Sequence, residues 1–85
     1  MKNGWREGTV GIPTGKGLKG KATICHWWVK DYEEPSEYGI NGGKISKLQI
    51  KIDGKTVCNY DRGWDVKPTC KEAEIALSIL LNAYN

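Results

Sequence analysis

The 85 residues of this chain make one domain, near the size at which a core barely offsets chain entropy, and 13 Lys and Arg against 10 Asp and Glu give a formal charge of +3, too mild to name a nucleic-acid binder by charge alone. No apolar run approaches the roughly 20 residues of a membrane span, and Met1-Lys2-Asn3-Gly4 lacks the apolar stretch of a signal peptide, so the expected location is the cytoplasm, without membrane contact. Cys25, Cys58 and Cys70 are odd in number and irregularly spaced, which argues against a disulfide framework and for reduced thiols.

Trp5 to Ile12 reads as a strand, ended by Pro13 and joined to the next by a Gly- and Lys-rich loop from Thr14 to Gly20. In that loop Gly15-Lys16-Gly17-Leu18-Lys19-Gly20 has the form G-x-G-x-x-G of a dinucleotide site, and Gly15 to Lys21 the form G-x-x-x-x-G-K of a phosphate-binding loop. Both motifs need a helix directly after them, its N-terminus facing phosphate. Here Ala22-Thr23-Ile24 reads as a strand, and Ala22 stands where Ser or Thr should hold magnesium, so no nucleotide cofactor is expected. Lys21 to Tyr32, rich in Thr, Ile, Trp and Val, is a second strand with little clean alternation, expected to be central and covered on both sides. His26 with the three cysteines suggests zinc, but there is no C-x-x-C pair, and the adjacent Cys25 and His26 point to opposite faces of a strand. No metal is expected.

Glu33 to Gly43, with Pro35, Ser36 and the turn formers Asn41-Gly42-Gly43, is expected as an exposed loop. From Lys44 to Arg62 two strand-like runs flank Asp53-Gly54, a dipeptide suited to a two-residue hairpin turn. A two-residue loop pairs Ile52 with Lys55, Ile50 with Val57 and Leu48 with Asn59, which places Leu48, Ile50, Ile52 and Val57 on the core face. Lys47, Gln49, Lys51, Thr56, Cys58, Tyr60 and Arg62 then share the other face. Pro68, and Thr69 with Glu72 three residues on, announce a capped helix from about Cys70 to Ala83. Its polar wedge (Lys71, Glu74, Ser78, Asn82) is narrow and its apolar arc is wider than one sheet face requires. Either loops fold over its flanks, or Ile75 and Ile79 meet a second copy. The expected fold is therefore α+β: an antiparallel sheet of about four strands in the order β-β-β-β-α, covered by one C-terminal helix.

The acids Asp31, Glu33, Glu34 and Glu37, and Asp61 and Asp65 around Arg62, come without an activated nucleophile or a matched base, so no catalytic site is expected. Two segments mix aromatic rings with charge: Tyr32 to Ile40 and Tyr60 to Asp65. All aromatic residues here are Trp or Tyr, four of each with no Phe, so every ring carries a polar atom that seeks a partner or water. Tyr38, Arg62 and Trp64, with Glu33 and Glu37 beside them, have the chemistry of binding hot spots. The same residues have a structural reading: Tyr38, Tyr60 and Trp64 cover the edges of a small core while Arg62 pairs with Glu33 or Glu37 to pin the loop.

The run Glu33-Glu34-Pro35-Ser36-Glu37-Tyr38-Gly39-Ile40 through Gly43-Lys44-Ile45-Ser46-Lys47-Leu48, then Tyr60-Asp61-Arg62-Gly63-Trp64-Asp65 and the closing Tyr84-Asn85, resembles a family of short uncharacterised proteins from Firmicutes and their prophages. The resemblance spans roughly residues 27 to 85. It implies a phage or mobile-element accessory protein and offers no catalytic residues to carry across. Two functions are expected to compete. One is a protein-binding module, with an unidentified partner or a second copy, using Tyr38, Arg62, Trp64, Glu33 and Glu37. The other, ranked second, is a nucleic-acid-binding module in which Lys16, Lys19, Lys21, Lys47, Lys51 and Tyr60 form a basic, partly aromatic platform.

Overall fold

Alternation of apolar and polar residues builds the molecule as a meander in which each strand returns beside the one before it. The computed structural model describes residues 5–13 and 22–85. Its strands are β1 (Trp5–Pro13), β2 (Ala22–Asp31), β3 (Ile45–Ile52), β4 (Lys55–Asp61) and β5 (Trp64–Val66), and helix α1 (Lys71–Tyr84) follows them. The sheet is antiparallel throughout with the order β1-β2-β3-β4-β5. The α+β architecture matches expectation, with a fifth strand added: the short β5 lies along the free edge of β4.

One face of the sheet is the core. Ile12, Cys25, Val29, Leu48, Ile50 and Cys58 are buried there against Ala76 and Leu80 of α1, each large aliphatic side chain contributing about 1.5–3 kcal/mol by its removal from water. The helix packs over β1, β2 and β3. Gly8 lets it do so: a Cβ on Gly8 would stand 2.7 Å from Cζ2 of Trp27, whose ring in turn meets Tyr84 at 5.7 Å. Arg6 stands on the same side, opposite Val29. Its Nε donates to Asp31 Oδ1 at 2.8 Å and its guanidinium lies over the Tyr84 ring at 4.8 Å, tying β1 and β2 to the end of α1. The adjacent carboxylate raises the guanidinium pKa further.

Four expectations are corrected. First, the β3–β4 register changes after Lys51↔Thr56: Ile50 faces Cys58 and Leu48 faces Tyr60, so Val57 is the extra residue of a β-bulge. The regular register would have turned Asn59 inward; the bulge exchanges it for Cys58 and Tyr60, which are 0% and 7% exposed. A one-residue slip turns every later side chain to the other face, and burial decides which is kept. The turn itself is as expected, with positive φ at both Asp53 (52°) and Gly54 (79°). Second, β2 is covered on one side only: Ile24 is 59% exposed, and no described element packs over the face that holds Ile24, His26, Trp28 and Lys30. Third, the capping box does not form. Cys70 is the N-cap residue, without a side-chain cap, and the Thr69 N–H that Glu72 was expected to accept from donates instead to the Val57 carbonyl at 3.0 Å. Fourth, Arg62 leaves the sheet and occupies the β4–β5 turn at φ 59°. On α1, Ala73, Ala76 and Leu80 are buried, while Ile75 and Ile79 stay 40% and 44% exposed.

Candidate functional site

The loop between β2 and β3 is held in a fixed shape by its own backbone. Ser36 N–H donates to the Gly43 carbonyl at 3.1 Å and Gly39 N–H to the Ser36 carbonyl at 3.0 Å. Gly39 and Gly43 pass so closely that a Cβ on Gly39 would strike the Gly43 carbonyl. A single 3-10 turn, Ile40–Gly42, follows. Ile40 plugs the core at 1% exposure, and Asn85 locks the loop from the far end of the chain. The Asn85 Oδ1 accepts from Ile45 N–H at 2.9 Å and its Nδ2 donates to the Ile40 carbonyl at 3.0 Å.

On that frame stand three of the expected site residues. Tyr60 rises from the core and its hydroxyl donates to the Tyr38 carbonyl at 2.8 Å. The Tyr38 ring is 53% exposed, with the Arg62 guanidinium 5.7 Å from its centroid. Trp64 meets Tyr60 edge-on at 5.0 Å and is 39% exposed. Tyr38, Arg62 and Trp64 thus form one surface around the buried Tyr60, on the helix side of the sheet at its β5 end. Glu33 and Glu37 are exposed on the same loop, yet Arg62 forms no ion pair with either among the described residues. The expected pinning of the loop by Arg62 is done instead by Asn85 and Tyr60.

The second set of expected residues divides. Lys47 and Lys51 stand on the open face of the sheet. Tyr60 does not; the bulge that buries it removes it from any outer platform. Lys16, Lys19 and Lys21 lie outside the described residues. In place of Tyr60 the open face carries rings from β1 and β2 that the sequence reading left unassigned. His26 and Trp28 stack at 4.2 Å with 13° between their planes. Lys51 Nζ lies 6.0 Å from the Trp28 ring, and Lys30 Nζ lies 6.0 Å from the Trp5 ring and 5.8 Å from that of Tyr32. The acids on this side are engaged: Glu7 Oε2 lies 2.8 Å from His26 Nε2, Asp61 lies 3.7 Å from Lys47, and Asp65 accepts from Asn59 at 3.0 Å. The signal was present as Ile24, His26, Trp28 and Lys30 at every second position, masked because Trp27 on the opposite face is also aromatic.

All three cysteines are free thiols. Burial pushes Cys58 up to about 12 and raises Cys25 as well, which withholds the thiolate that reactivity requires. Among the described residues no group of three or more His, Cys, Asp or Glu could hold a metal ion, and no helix is long and apolar enough to cross a membrane.

Fold and surface together define a small α+β protein: a sheet with one face under a helix, and exposed rings beside cations on both sides. The chain belongs to the family described as Domain of unknown function (DUF7678), whose model matches residues 4–85. The match takes in β1 as well as the segments that carried the resemblance. No curated protein and no solved structure matches the chain.

Proposed function

We propose that this chain is a non-enzymatic protein-binding module, an accessory protein of Firmicutes and their prophages that acts in the cytoplasm and engages its partner through Tyr38, Arg62 and Trp64. The observation that carries this reading is the backbone of Arg62. A long side chain is kept at φ 59°, beside a glycine that would hold the same conformation at less cost, and its cation is laid over an exposed tyrosine. Strained residues of this kind persist where the side chain itself is needed. Arg, Tyr and Trp are the side chains that most often dominate binding energy: the rings bring large contact area with few rotatable bonds, and the guanidinium brings a planar fork of donors that also stacks on rings. Glu33 and Glu37 supply an acidic rim, suited to a partner with basic residues around an apolar centre. Ile75 and Ile79 leave an apolar ridge on α1 that supports self-association as well.

The test replaces Tyr38 by a photo-crosslinking phenylalanine analogue and irradiates the protein in its host extract. One defined adduct, lost on Trp64→Ala or Arg62→Ala in a protein that keeps its circular dichroism and melting temperature, is the expected result. Unfolding on Trp64→Ala, or adducts unchanged by either substitution, would make these residues packing for the β5 edge and nothing more. Light scattering of the wild type and of an Ile75→Lys, Ile79→Lys double variant decides whether the ridge joins two copies.

A further inference from the structure

We infer a second binding surface, independent of the first: the open face of the sheet binds single-stranded nucleic acid, with bases on the rings of Trp5 and of the His26–Trp28 stack and phosphates on Lys30, Lys47 and Lys51. The register makes the case. Lys30 lies directly opposite Lys47, and His26 directly opposite Lys51, with Trp28 opposite Gln49 between them. Like charges in directly opposed positions of an antiparallel pair destabilise it. Here one such lysine pair is set between two inner strands of the sheet, and among the described residues only one of the two, Lys47, has a carboxylate in ion-pair range, Asp61 at 3.7 Å. An anionic chain lying along β2 and β3 would relieve that repulsion.

The rings meet the other half of the requirement. Trp5 is 44% exposed, and the His26–Trp28 pair is already stacked, with their planes only 13° apart. A base added to that stack gains contact on a surface that has already given up its side-chain freedom. Lys47 and Lys51 are four residues apart on one strand, about 13 Å, a length that spans a few nucleotides of an extended chain with Trp28 midway. A duplex keeps the faces of its bases stacked inside, so it offers these rings no base to stack on. A protein partner would find lysines and a histidine in the centre of the patch, where protein interfaces are depleted of charge.

The experiment is fluorescence anisotropy with labelled 20-mers of mixed sequence (single-stranded DNA, single-stranded RNA and duplex DNA) titrated with the full chain at several salt concentrations, alongside light scattering. Single strands should bind better than duplex, and the DNA and RNA arms decide which is preferred. Three phosphate contacts predict a slope of log Kobs against log salt of about −2, at about −0.7 per contact for single strands. Lys47→Ala should reduce that slope by about 0.7, and Trp28→Ala should weaken binding at least about fivefold, the low end for loss of one stacked base. Trp5→Ala, on the edge strand, repeats the ring test should Trp28→Ala fold poorly. Lys71→Ala, at the start of the helix on the far side, should change neither. Absence of binding to either single strand at low salt, or equal losses with Lys71→Ala and Lys47→Ala, would overturn the inference. A dimer that Trp28→Ala dissociates, with no oligonucleotide bound, would give the face to a second copy instead.

Discussion

Asn85 is the residue whose loss should test the fold and the proposed protein contact together. Its side chain makes two hydrogen bonds, accepting from the Ile45 N–H at 2.9 Å and donating to the Ile40 carbonyl at 3.0 Å, and both residues it serves are buried, at 0% and 1% exposure. Asn85→Ala leaves the Ile45 N–H in the interior without its partner, while the Ile40 carbonyl keeps its bond from the Gly43 N–H at 2.9 Å, so a loss of about 1–3 kcal/mol is expected where water cannot replace the bond to Ile45. For a chain of this size that is a large part of the total, about 0.05–0.15 kcal/mol per residue. Urea unfolding followed by tryptophan fluorescence should show the midpoint fall with little change in slope, and the Ile45 amide should lose its protection from hydrogen exchange before the central strands do. Asn85→Asp keeps the acceptor for Ile45 but sets a carboxylate against the Ile40 carbonyl, and should be as damaging at neutral pH as the alanine. A cost under about 0.5 kcal/mol for Asn85→Ala, within the range of ordinary surface changes, would refute the account of how the loop is held.

Three further outcomes follow from the geometry. Gly8→Ala should cost about 1–3 kcal/mol by overpacking, read as a lowered melting temperature, because the added Cβ would meet the Trp27 ring at 2.7 Å; an unchanged melting temperature would mean that Trp27 shifts freely. Burial moves the Cys58 thiol from the ordinary 9.0 to about 12, so the stability that comes from keeping it neutral is whole below pH 9 and is lost as pH rises through 12, about 4 kcal/mol in full at 1.36 kcal/mol per unit. Wild type should therefore lose stability faster than Cys58→Val across that window, and parallel curves would deny the effect. Arg62→Gly should leave stability equal or raise it by up to about 1 kcal/mol, since relief of the left-handed backbone outweighs the exposed cation–aromatic contact, while abolishing the Tyr38 crosslink; a loss above 1 kcal/mol in urea would assign Arg62 to the fold.

What the sequence made legible was local. Asp53-Gly54 announced its turn, Pro13 bounded the first strand, and Pro68 with Thr69 and Glu72 announced the helix, though not the cap that starts it. The misreadings share a cause: each was decided by contacts distant in sequence. Nothing in Lys55 to Asp61 reveals that Val57 is skipped, because the gain from burying Tyr60 in place of Asn59 exists only once the loop carbonyl of Tyr38 is there to take its hydroxyl. Thr69 and Glu72 carry a sound capping pattern, yet the Val57 carbonyl claims the Thr69 N–H. The site residues Tyr38, Arg62 and Trp64 were legible as a composition, not as a place; Tyr60 is what gathers them. Trp5, Trp28 and Lys30 escaped notice as a surface, and His26 was weighed only as a metal ligand, because a strand with aromatic residues on both faces has no clean period two to read.

The two surfaces are built differently, and the difference bears on what each can do. Tyr38 and Arg62 sit on two connections and Trp64 at the start of β5, fixed by Asn85, by the close pass of Gly39 and Gly43 and by one buried tyrosine, so a change in any of these moves the contacts together. Lys30, Lys47 and Lys51, with Trp5, His26 and Trp28, stand on the part of β1, β2 and β3 that pairs in register, short of the irregularity after Lys30, so single substitutions there should subtract contacts without moving their neighbours. A bulge separates the two: it turns Tyr60 inward to organise one surface and leaves Lys51, ahead of the shift, facing out on the other. Variants can therefore be made that disable one surface and spare the other. Losses that stay confined to the ligand of the altered face would mark the chain as a bridge between two ligands, whereas losses of both together would reduce the two surfaces to one.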